Sequence, residues 1–385
     1  MSKIITSYQP SFIPILRILA AAGHEITTLH PDFTRQLRDL DIAAKSLGEG
    51  IPDVRGPANT RAVEILESVD TSADSLSPQV AQFMANSLKP YIYGRIGELA
   101  SIAFAVDATA PDLCLLHNDV EPSTRVVALW ARARNTPCLH IPHAVYVDGF
   151  GRGAIGTDVH DIVTASHIAC AGPYQEQWYQ NRGGTTRITG LPQFDKWATM
   201  PVTRKRARTN LGLDQHKLVV VYASSWRQDT NLLGCHDGVE ETYRNFLEAT
   251  KEFNDIQFVV KTHPRGGNIE WHVKTAQELK CNVTVTALHL EHCLQAADAV
   301  IAYGPSGVII EAAHVEGLRL LCIDGYQNDS NILTTTSDSK SIADALGISL
   351  ATPQPNNKSF VYKYAGIPDG LATQRVTQYA LELIP

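Results

Sequence analysis

Apolar and polar positions along this chain follow two different periods, and a stretch in its second half shows both. Residues 299–302 form an apolar run with β-branched members and no 3.6-residue period, which indicates a buried strand. The turn sequence at 303–307 interrupts the run, and residues 308–315 continue with helical spacing. Gly317 ends that helix before a second apolar run at 320–323. The pattern predicts a strand–turn–helix–strand unit.

The same alternation predicts most of the remaining elements. Predicted strands cover residues 3–7, 24–29, 113–117, 138–141, 162–170, 186–189, 218–223, 256–261 and 283–285. Predicted helices cover residues 12–22, 59–69, 78–106, 123–134, 239–250, 271–279, 289–296 and 371–383. Residues 32–57 show neither period. Strands that alternate with helices in both halves predict an α/β protein with two doubly wound parallel sheets.

The length and one change in composition predict two domains. A chain of 385 residues exceeds one ordinary core. Pro192, Pro201 and the basic run at 204–206 interrupt the alternation, which places a boundary near residue 200. We expect Rossmann-like domains at 1–200 and 201–365, and a last segment, 366–385, that packs back towards the first domain.

Composition restricts the class of protein. The hydrophobic fraction of 44% and the charged fraction of 19% are typical of a soluble globular protein. No apolar run reaches the ~18–20 residues of a membrane-spanning helix, and the first ten residues lack the apolar segment of a signal peptide. The seven cysteines lie mostly in apolar runs without a CxxC pair (Cys114, Cys138, Cys170, Cys235, Cys281, Cys293, Cys322). These features predict reduced thiols in a cytoplasmic protein, without disulfides or a zinc site.

Charge adds weaker constraints. A net charge of -7 argues against a broad nucleic-acid-binding surface, although a local basic groove stays open. The basic run at 204–206 is interpreted as a solvated linker helix in preference to a phosphate contact. The sequence Asp39-Leu40-Asp41 has DxD spacing but does not follow a strand, so we expect no metal site there.

The predicted strand ends of the second half carry groups that suit a nucleotide diphosphate. Ligands bind beyond the carboxyl ends of parallel strands, and guanidinium, hydroxyl and N–H donors match phosphate oxygens. The turn at 303–307 opens a helix, whose first N–H groups favour anions. Glu311 lies about one and a half turns further, where a carboxylate can accept ribose hydroxyls. The candidate nucleotide-binding residues are Ser225, Arg227, His263, Arg265, Gly304, Ser306, Gly307 and Glu311.

The predicted strand ends of the first half carry proton acceptors and no guanidinium group. His143 and Asp119 are the candidate catalytic bases, and Gln9, Ser11 and His117 are the candidate acceptor-binding residues. A cationic edge that faces a titratable edge suits group transfer from a nucleotide diphosphate to a hydroxyl.

Each candidate also has a structural interpretation. His143 can be a hydrogen-bonded loop histidine, and Asp119 or Ser306 can be an N-cap. His117 and His140 can be structural. Trp226 is expected to pack on the sheet.

Five segments resemble the CDP-glycerol glycerophosphotransferase family of teichoic acid and capsule assembly. VVVYASSWR at 219–227 is similar to the family's "ILYAPTWR", and RITGLPQFD at 187–195 is similar to "GxPRxD", with Gln193 in place of arginine. KTHP at 261–264 matches "xxHP", and the 303–307 turn stands where the family has "DxSS". Residues 138–145, which include His143, resemble the "WHG" segment, with Ala144 in place of glycine.

The resemblance implies a GT-B fold, in which the active site lies between two Rossmann-like domains and transfer needs no metal or other cofactor. It implies that His143 is the catalytic base and that His263 and Ser306 hold the diphosphate. The implied partners are a nucleotide-sugar or CDP-polyol donor and a carbohydrate, polyol-phosphate or modified nucleic-acid acceptor.

These inferences predict an inverting, metal-independent GT-B transferase that moves a sugar or polyol phosphate from a nucleotide diphosphate to a hydroxyl. A nucleotide-sugar 2-epimerase and a phage-type glycosyltransferase that modifies DNA bases stay open as alternatives. A non-catalytic nucleotide-binding module is the third. The donor base, the acceptor, the stereochemical outcome and the oligomeric state stay open as well.

Overall fold

A computed structural model describes residues 1–49, 60, 64, 89–119, 121–145, 163–200, 202–225, 238–264, 268–304, 306–326 and 329–385. Several predictions fall outside these residues: most of the helix at 59–69, the first part of the helix at 78–106, Cys235, Trp226 and the two arginines Arg227 and Arg265.

The first sheet of the described residues has seven parallel strands in the order β3-β2-β1-β4-β5-β6-β7. They are β1 (Lys3–Thr6), β2 (Glu25–Thr28), β3 (Ala44–Ser46), β4 (Leu113–Leu116), β5 (Cys138–His140), β6 (His167–Cys170) and β7 (Thr185–Ile188). The order reverses between β1 and β4. In open α/β sheets this switch point leaves a crevice where ligands bind.

The helices of this half include two that were not predicted, at 31–39 and 173–180. After a 3₁₀ turn, η1 (Pro10–Phe12), they are α1 (Ile13–Ala21), α2 (Pro31–Asp39), α3 (Lys89–Thr109), α4 (Pro122–Arg134) and α5 (Pro173–Gln180). Proline occupies the first turn of α1, α2, α4 and α5, where its missing N–H is not needed. Gly23, with φ 88°, follows α1 as predicted. Helix α2 and strand β3 occupy the stretch that showed no period.

The second sheet has six parallel strands among the described residues, in the order β10-β9-β8-β11-β12-β13. They are β8 (Leu218–Ala223), β9 (Ile256–Lys261), β10 (Val283–Thr286), β11 (Ala299–Tyr303), β12 (Arg319–Ile323) and β13 (Leu333–Thr335). Its switch point lies between β8 and β11. The predicted doubly wound α/β class is therefore confirmed, and the predicted boundary near residue 200 falls between the two sheets.

Eight helices lie in this half of the described chain, and the last of them packs on the first sheet. They are α6 (Arg204–Asn210), α7 (Val239–Thr250), α8 (Ile269–Glu278), α9 (Leu290–Ala296), α10 (Gly307–Ala313), α11 (Ser339–Ala351), α12 (Lys358–Ala365) and α13 (Ala372–Leu383). The basic run forms α6. Arg204 and Arg208 both bind the Asp298 carboxylate, and Asp298 also accepts the Val219 N–H at 2.9 Å. Two of the helix's arginines thus hold it against the sheet.

A short connection and the last helix join the two halves. The connection is a 3₁₀ turn, η2 (Pro192–Trp197). Val376 and Tyr379 of α13 belong to the apolar cluster of the first sheet, together with Ile4. Asp195 of η2 accepts the Ala372 and Thr373 N–H groups, each at 2.8 Å, and so caps α13. In the described residues, no helix has both the length and the apolar composition to cross a bilayer.

Candidate active site

Polar side chains meet at the switch point of the first sheet. Ser7 follows β1 and His117 follows β4, and these two strands are neighbours in the sheet. Ser7 Oγ accepts the backbone N–H of His117 at 2.9 Å and lies 2.8 Å from His117 Nδ1. The sheet order therefore brings two distant segments together where a ligand site is expected.

Asn118 determines which nitrogen of His117 carries the proton. Asn118 Oδ1 accepts the Glu121 N–H at 3.0 Å and the Thr124 hydroxyl at 2.8 Å, so its Nδ2 must face His117 Nε2, at 2.7 Å. Since Nδ2 can only donate, Nε2 accepts and Nδ1 holds the proton that points to Ser7. The ring of His117 is held on both sides by protein groups.

His143 lies beside this network and is exposed. Its Nδ1 is 3.4 Å from the His117 carbonyl oxygen, and the two rings meet edge to face at 5.7 Å. A carbonyl oxygen only accepts, so Nδ1 donates and the lone pair of the neutral ring is on Nε2. Gln193 Nε2 donates to the His143 carbonyl at 3.1 Å, and Gln175 Nε2 donates to the Ala144 carbonyl at 3.2 Å. Two amides thus hold the backbone of the predicted base.

Asp119 is only 4% exposed and faces protein groups. Its Oδ2 accepts the Thr164 N–H at 2.7 Å and the Ala165 N–H at 3.2 Å, and its Oδ1 lies 3.9 Å from His140 Nδ1. Burial lowers the pKa of His140, which favours a neutral imidazole next to this carboxylate. Asp119 does not cap α4; Asn118 accepts the first N–H of that turn instead.

Gln9 and Ser11 lie in the loop after β1, on the same edge of the sheet as Ser7. The Gln9 carbonyl accepts the Phe12 N–H at 2.9 Å and so opens η1. Ser11 Oγ is buried and has no hydrogen-bond partner among the described residues. Their predicted role in binding an acceptor stays a prediction.

The switch point of the second sheet brings Ser225 to β11. Ser225 is half-buried after β8, and its hydroxyl donates to the Tyr303 carbonyl at 3.3 Å. His263 is half-buried at the end of the neighbouring strand, β9. The structure thus places both residues at one edge of the sheet, as predicted.

A buried histidine that we did not predict ties these strand ends together. His272 Nδ1 donates to the Asn268 carbonyl at 2.7 Å, so Nε2 accepts from the Ser224 hydroxyl, 2.9 Å away. Ser224 and His272 are 7% and 4% exposed. Because His272 lies inside a helix without a local motif, only an (i, i+4) link to Asn268 was visible in the sequence.

The turn between β11 and α10 contains the predicted Gly304, Ser306 and Gly307. Gly304 has φ 69°, a left-handed conformation that favours glycine. Ser306 Oγ accepts the Val308 N–H at 3.3 Å, so the N-cap interpretation of Ser306 is correct. A role of Gly304, Ser306 and Gly307 in phosphate binding stays a prediction.

Glu311 is ion-paired across the two halves of the chain. Lys196 Nζ, from η2, lies 3.0 Å from Glu311 Oε2 and 2.7 Å from Glu291 Oε1 of α9. Burial raises the pKa of Glu311, and Lys196 opposes that rise. Sequence reasoning missed Lys196, although it directly follows the segment at 187–195.

The chain after His143 joins an apolar cluster that spans the two halves. Val145 belongs to this cluster with Ala171 and Leu191 of the first half and with residues of β8, β11 and α10. His143 therefore lies at the junction of the two halves. Among the described residues, no group of three or more His, Cys, Asp or Glu side chains is arranged to hold a metal ion.

A family model supports the resemblance stated above. The model described as CDP-Glycerol:Poly(glycerophosphate) glycerophosphotransferase matches residues 157–303. The matched part contains the segments at 187–195, 219–227 and 261–264. The resemblance to this family is confirmed over that part of the chain. No curated protein matches the chain in sequence.

Solved structures share the fold over nearly the full chain. A UDP-N-acetylglucosamine 2-epimerase from Rickettsia bellii is 14% identical and has a TM-score of 0.59, with 100% of this chain and 96% of that chain covered. A Methanocaldococcus jannaschii UDP-GlcNAc 2-epimerase, solved with UDP-GlcNAc and UDP, is 13% identical with a TM-score of 0.58 and 99% of both chains covered. The glycotransferase of kitacinnamycin is 15% identical with a TM-score of 0.56, covering 100% and 99%. These matches confirm the GT-B fold.

Proposed function

We propose that this protein transfers a sugar or a polyol phosphate from a nucleoside-diphosphate donor to an acceptor hydroxyl. The GT-B fold and the family match support a transferase of this kind. One observation carries the proposal: His143, an exposed and oriented proton acceptor, lies at the junction of the two sheets. Val145, two residues later, belongs to an apolar cluster that spans both halves, and the edge of the second sheet carries the predicted donor ligands.

His143 acts as the base in this scheme. The acceptor hydroxyl donates its proton to Nε2 while its oxygen forms a bond to the transferred carbon or phosphorus atom. Gln9 lies at the same edge of the first sheet and orients the acceptor, while His117, whose ring is held by Ser7 and Asn118, and the buried Ser11 shape that edge. Asp119 is held by two backbone N–H groups and positions the segment at 164–165 instead of taking the proton.

The second sheet holds the donor and its leaving group. As the new bond forms, the bond from the transferred group to the nucleotide phosphate oxygen breaks, and negative charge grows on that oxygen. Ser225, His263 and Ser306, together with Arg227 and Arg265, supply the donors that stabilise this charge without a metal. Attack opposite the leaving oxygen gives inversion at a sugar carbon.

A thermal-shift screen tests the proposal. UDP, CDP and GDP, with their sugar or glycerol conjugates, are added at increasing concentration. A ligand at ~100 times its dissociation constant stabilises the folded state by about 2.7 kcal/mol. We expect one base to stabilise the protein more than the other two. The absence of stabilisation by all of them would contradict a nucleotide-dependent enzyme.

A 2-epimerase is the second candidate, because epimerases share this fold over nearly the entire chain. An epimerase converts its nucleotide sugar without any acceptor. Incubation with UDP-GlcNAc alone, followed by product analysis, separates the two functions. An epimerised sugar formed without an acceptor would support the epimerase and overturn the transferase.

A further inference from the structure

Lys196 forms ion pairs with two carboxylates, which belong to helices of the second half. It lies in η2, on the connection between the sheets, and its Nζ reaches Glu291 Oε1 at 2.7 Å and Glu311 Oε2 at 3.0 Å. The Trp197 ring lies 4.9 Å from the same Nζ. Phe194 and Trp197 of η2 also pack on the His314 ring of α10, at 5.3 and 6.3 Å. The side chains around Lys196 are thus held by packing.

Lys196 favours the ionised form of Glu311, whereas burial raises the pKa of that carboxyl. It is partly buried in α10, and Glu291 of α9 adds a second negative charge that disfavours ionisation. Burial lowers the pKa of His314, the remaining titratable group nearby, so that ring supplies no reliable positive charge. Among the described groups that face Glu311, Lys196 is the one that favours its ionised form through charge.

A charged carboxylate and a protonated one differ as ribose ligands. An ionised carboxylate accepts hydrogen bonds at both oxygens, whereas a protonated one gives up part of that capacity. Hydrogen bonds to a charged acceptor are also about twice as strong.

We propose that Lys196 is a positioning residue for the donor's ribose: its contact with the buried Oε2 of Glu311 keeps that carboxylate ionised and oriented, so that Oε1 accepts the ribose hydroxyls. This inference rests on the proposed nucleotide-binding function. It extends that function, because it gives the connection between the sheets a part in recognising the donor. It also predicts that the enzyme distinguishes ribonucleotides from 2′-deoxyribonucleotides.

Calorimetric titration measures this discrimination directly. The dissociation constants of UDP and 2′-deoxy-UDP are compared, with CDP and 2′-deoxy-CDP in parallel. In the wild-type protein we expect the ribonucleotide to bind about tenfold more tightly, because one hydrogen bond to a charged group is lost in the deoxy form. In Lys196→Met and Lys196→Gln we expect weaker ribonucleotide binding, and dissociation constants of the deoxyribonucleotide and the ribonucleotide that are nearly equal. We call the quotient of these two constants the ratio; Lys196→Arg keeps a cation and should retain most of the wild-type ratio.

The chain offers a matched control in Lys363. Its Nζ lies 2.8 Å from Asp329 Oδ2 and 4.8 Å from the Tyr364 ring, so its surroundings resemble those of Lys196. The exposed fractions of the two side chains are also similar, 44% and 41%. Lys363→Met removes an ion pair of the same kind on α12 and should leave the ribose discrimination unchanged.

The pH dependence of binding gives a second readout. Wild-type affinity for the ribonucleotide should fall when the pH decreases through the pKa of Glu311. Because Lys196 opposes the effect of burial on that pKa, the fall in Lys196→Met should begin at higher pH.

Each outcome has a distinct meaning. An unchanged ratio in Lys196→Met, or tighter ribonucleotide binding by that variant, would overturn the role of Lys196; tighter binding would show that lysine and ribose compete for Glu311. A wild-type protein that binds none of the four nucleotides would overturn the proposed function as well.

Discussion

His143 combines the three properties that a base for a hydroxyl needs. It is exposed, its ring is oriented by the His117 carbonyl, and its outer nitrogen carries the lone pair. Gln193 holds its backbone, and this amide replaces the arginine of the family that the segment resembles.

Replacement of His143 should therefore separate binding from turnover. In His143→Ala we expect kcat to fall by roughly 10²–10⁴-fold, while the dissociation constant of the nucleotide stays within about twofold. His216 is a matched control, because it is also exposed but lies before β8, at the amino-terminal edge of the second sheet. Normal turnover in His143→Ala would contradict its assignment as the base.

Replacement of Asp119 is expected to lower the stability of the protein and to affect turnover little. Asp119→Ala leaves the Thr164 and Ala165 N–H groups without their acceptor, so the free energy of unfolding should fall by about 1–3 kcal/mol. Turnover of the folded protein should remain within about tenfold of the wild type. A large loss of kcat at unchanged stability, measured by urea unfolding and initial rates, would instead make Asp119 catalytic.

Among the elements, β8, β9 and α8 form the best-defined part of the predicted donor site. The ring of His272 connects Asn268, at the start of α8, to Ser224, at the end of β8. The loops that follow β8 and β9 carry the predicted phosphate ligands, and His272 connects the residue after β8 to the residue before α8.

Two substitutions of His272 separate its two hydrogen bonds. Asparagine can replace Nδ1 and keep the bond to Asn268, whereas glutamine can replace Nε2 and keep the bond to Ser224. We expect His272→Asn and Ser224→Ala to weaken nucleotide binding by similar factors, about five- to tenfold, and the double variant to be no worse than either single one. His272→Gln should retain more of the affinity.

A control in the same domain checks that this loss is specific. Thr250 is buried in α7, and its hydroxyl bonds the Leu247 carbonyl at 2.7 Å. Thr250→Val should lower stability without changing nucleotide affinity. Equal losses of affinity in Thr250→Val and His272→Asn would reduce His272 to a general structural role.

The connection η2 and helix α13 contact each other beside the first sheet. Asp195 caps α13 through two N–H groups, and the helix packs on the core of the first sheet. The segment at 187–195, which is similar to a family motif, thus ends at this contact. We call the contact of Asp195 with α13 the joint.

Loss of this cap should affect both stability and transfer. In Asp195→Ala we expect the free energy of unfolding to fall by about 1–2 kcal/mol and kcat to fall as well, because the base and the donor site lie on different sheets. Asp338→Ala is the control, since Asp338 caps α11 through the Ser341 N–H and lies away from the joint. An equal effect of both variants on kcat would contradict a role of the joint in transfer.

Local pattern was enough to predict the two sheets and the edge on which the candidate residues lie. Strand and helix periods are local, and carboxyl ends of parallel strands must share an edge. Elements in which apolar and polar positions alternate only weakly were missed, such as β13 and α5. Helix α11 was also missed, although Asp338 as N-cap and the spacing of Ile342 and Leu346 indicate it.

The partners of the site residues depend on tertiary structure. Ser7 and His117 lie 110 positions apart, and no local period relates them. The same holds for Lys196 with Glu311, and for Ser224 with His272. The burial of Asp119 and the exposure of His143 also follow from packing, because the segments after the adjacent strands β4 and β5 receive different neighbours. Residue type and strand position thus determined which groups reach the edge, while the packing of distant segments decided which of them are buried against protein groups and which are exposed.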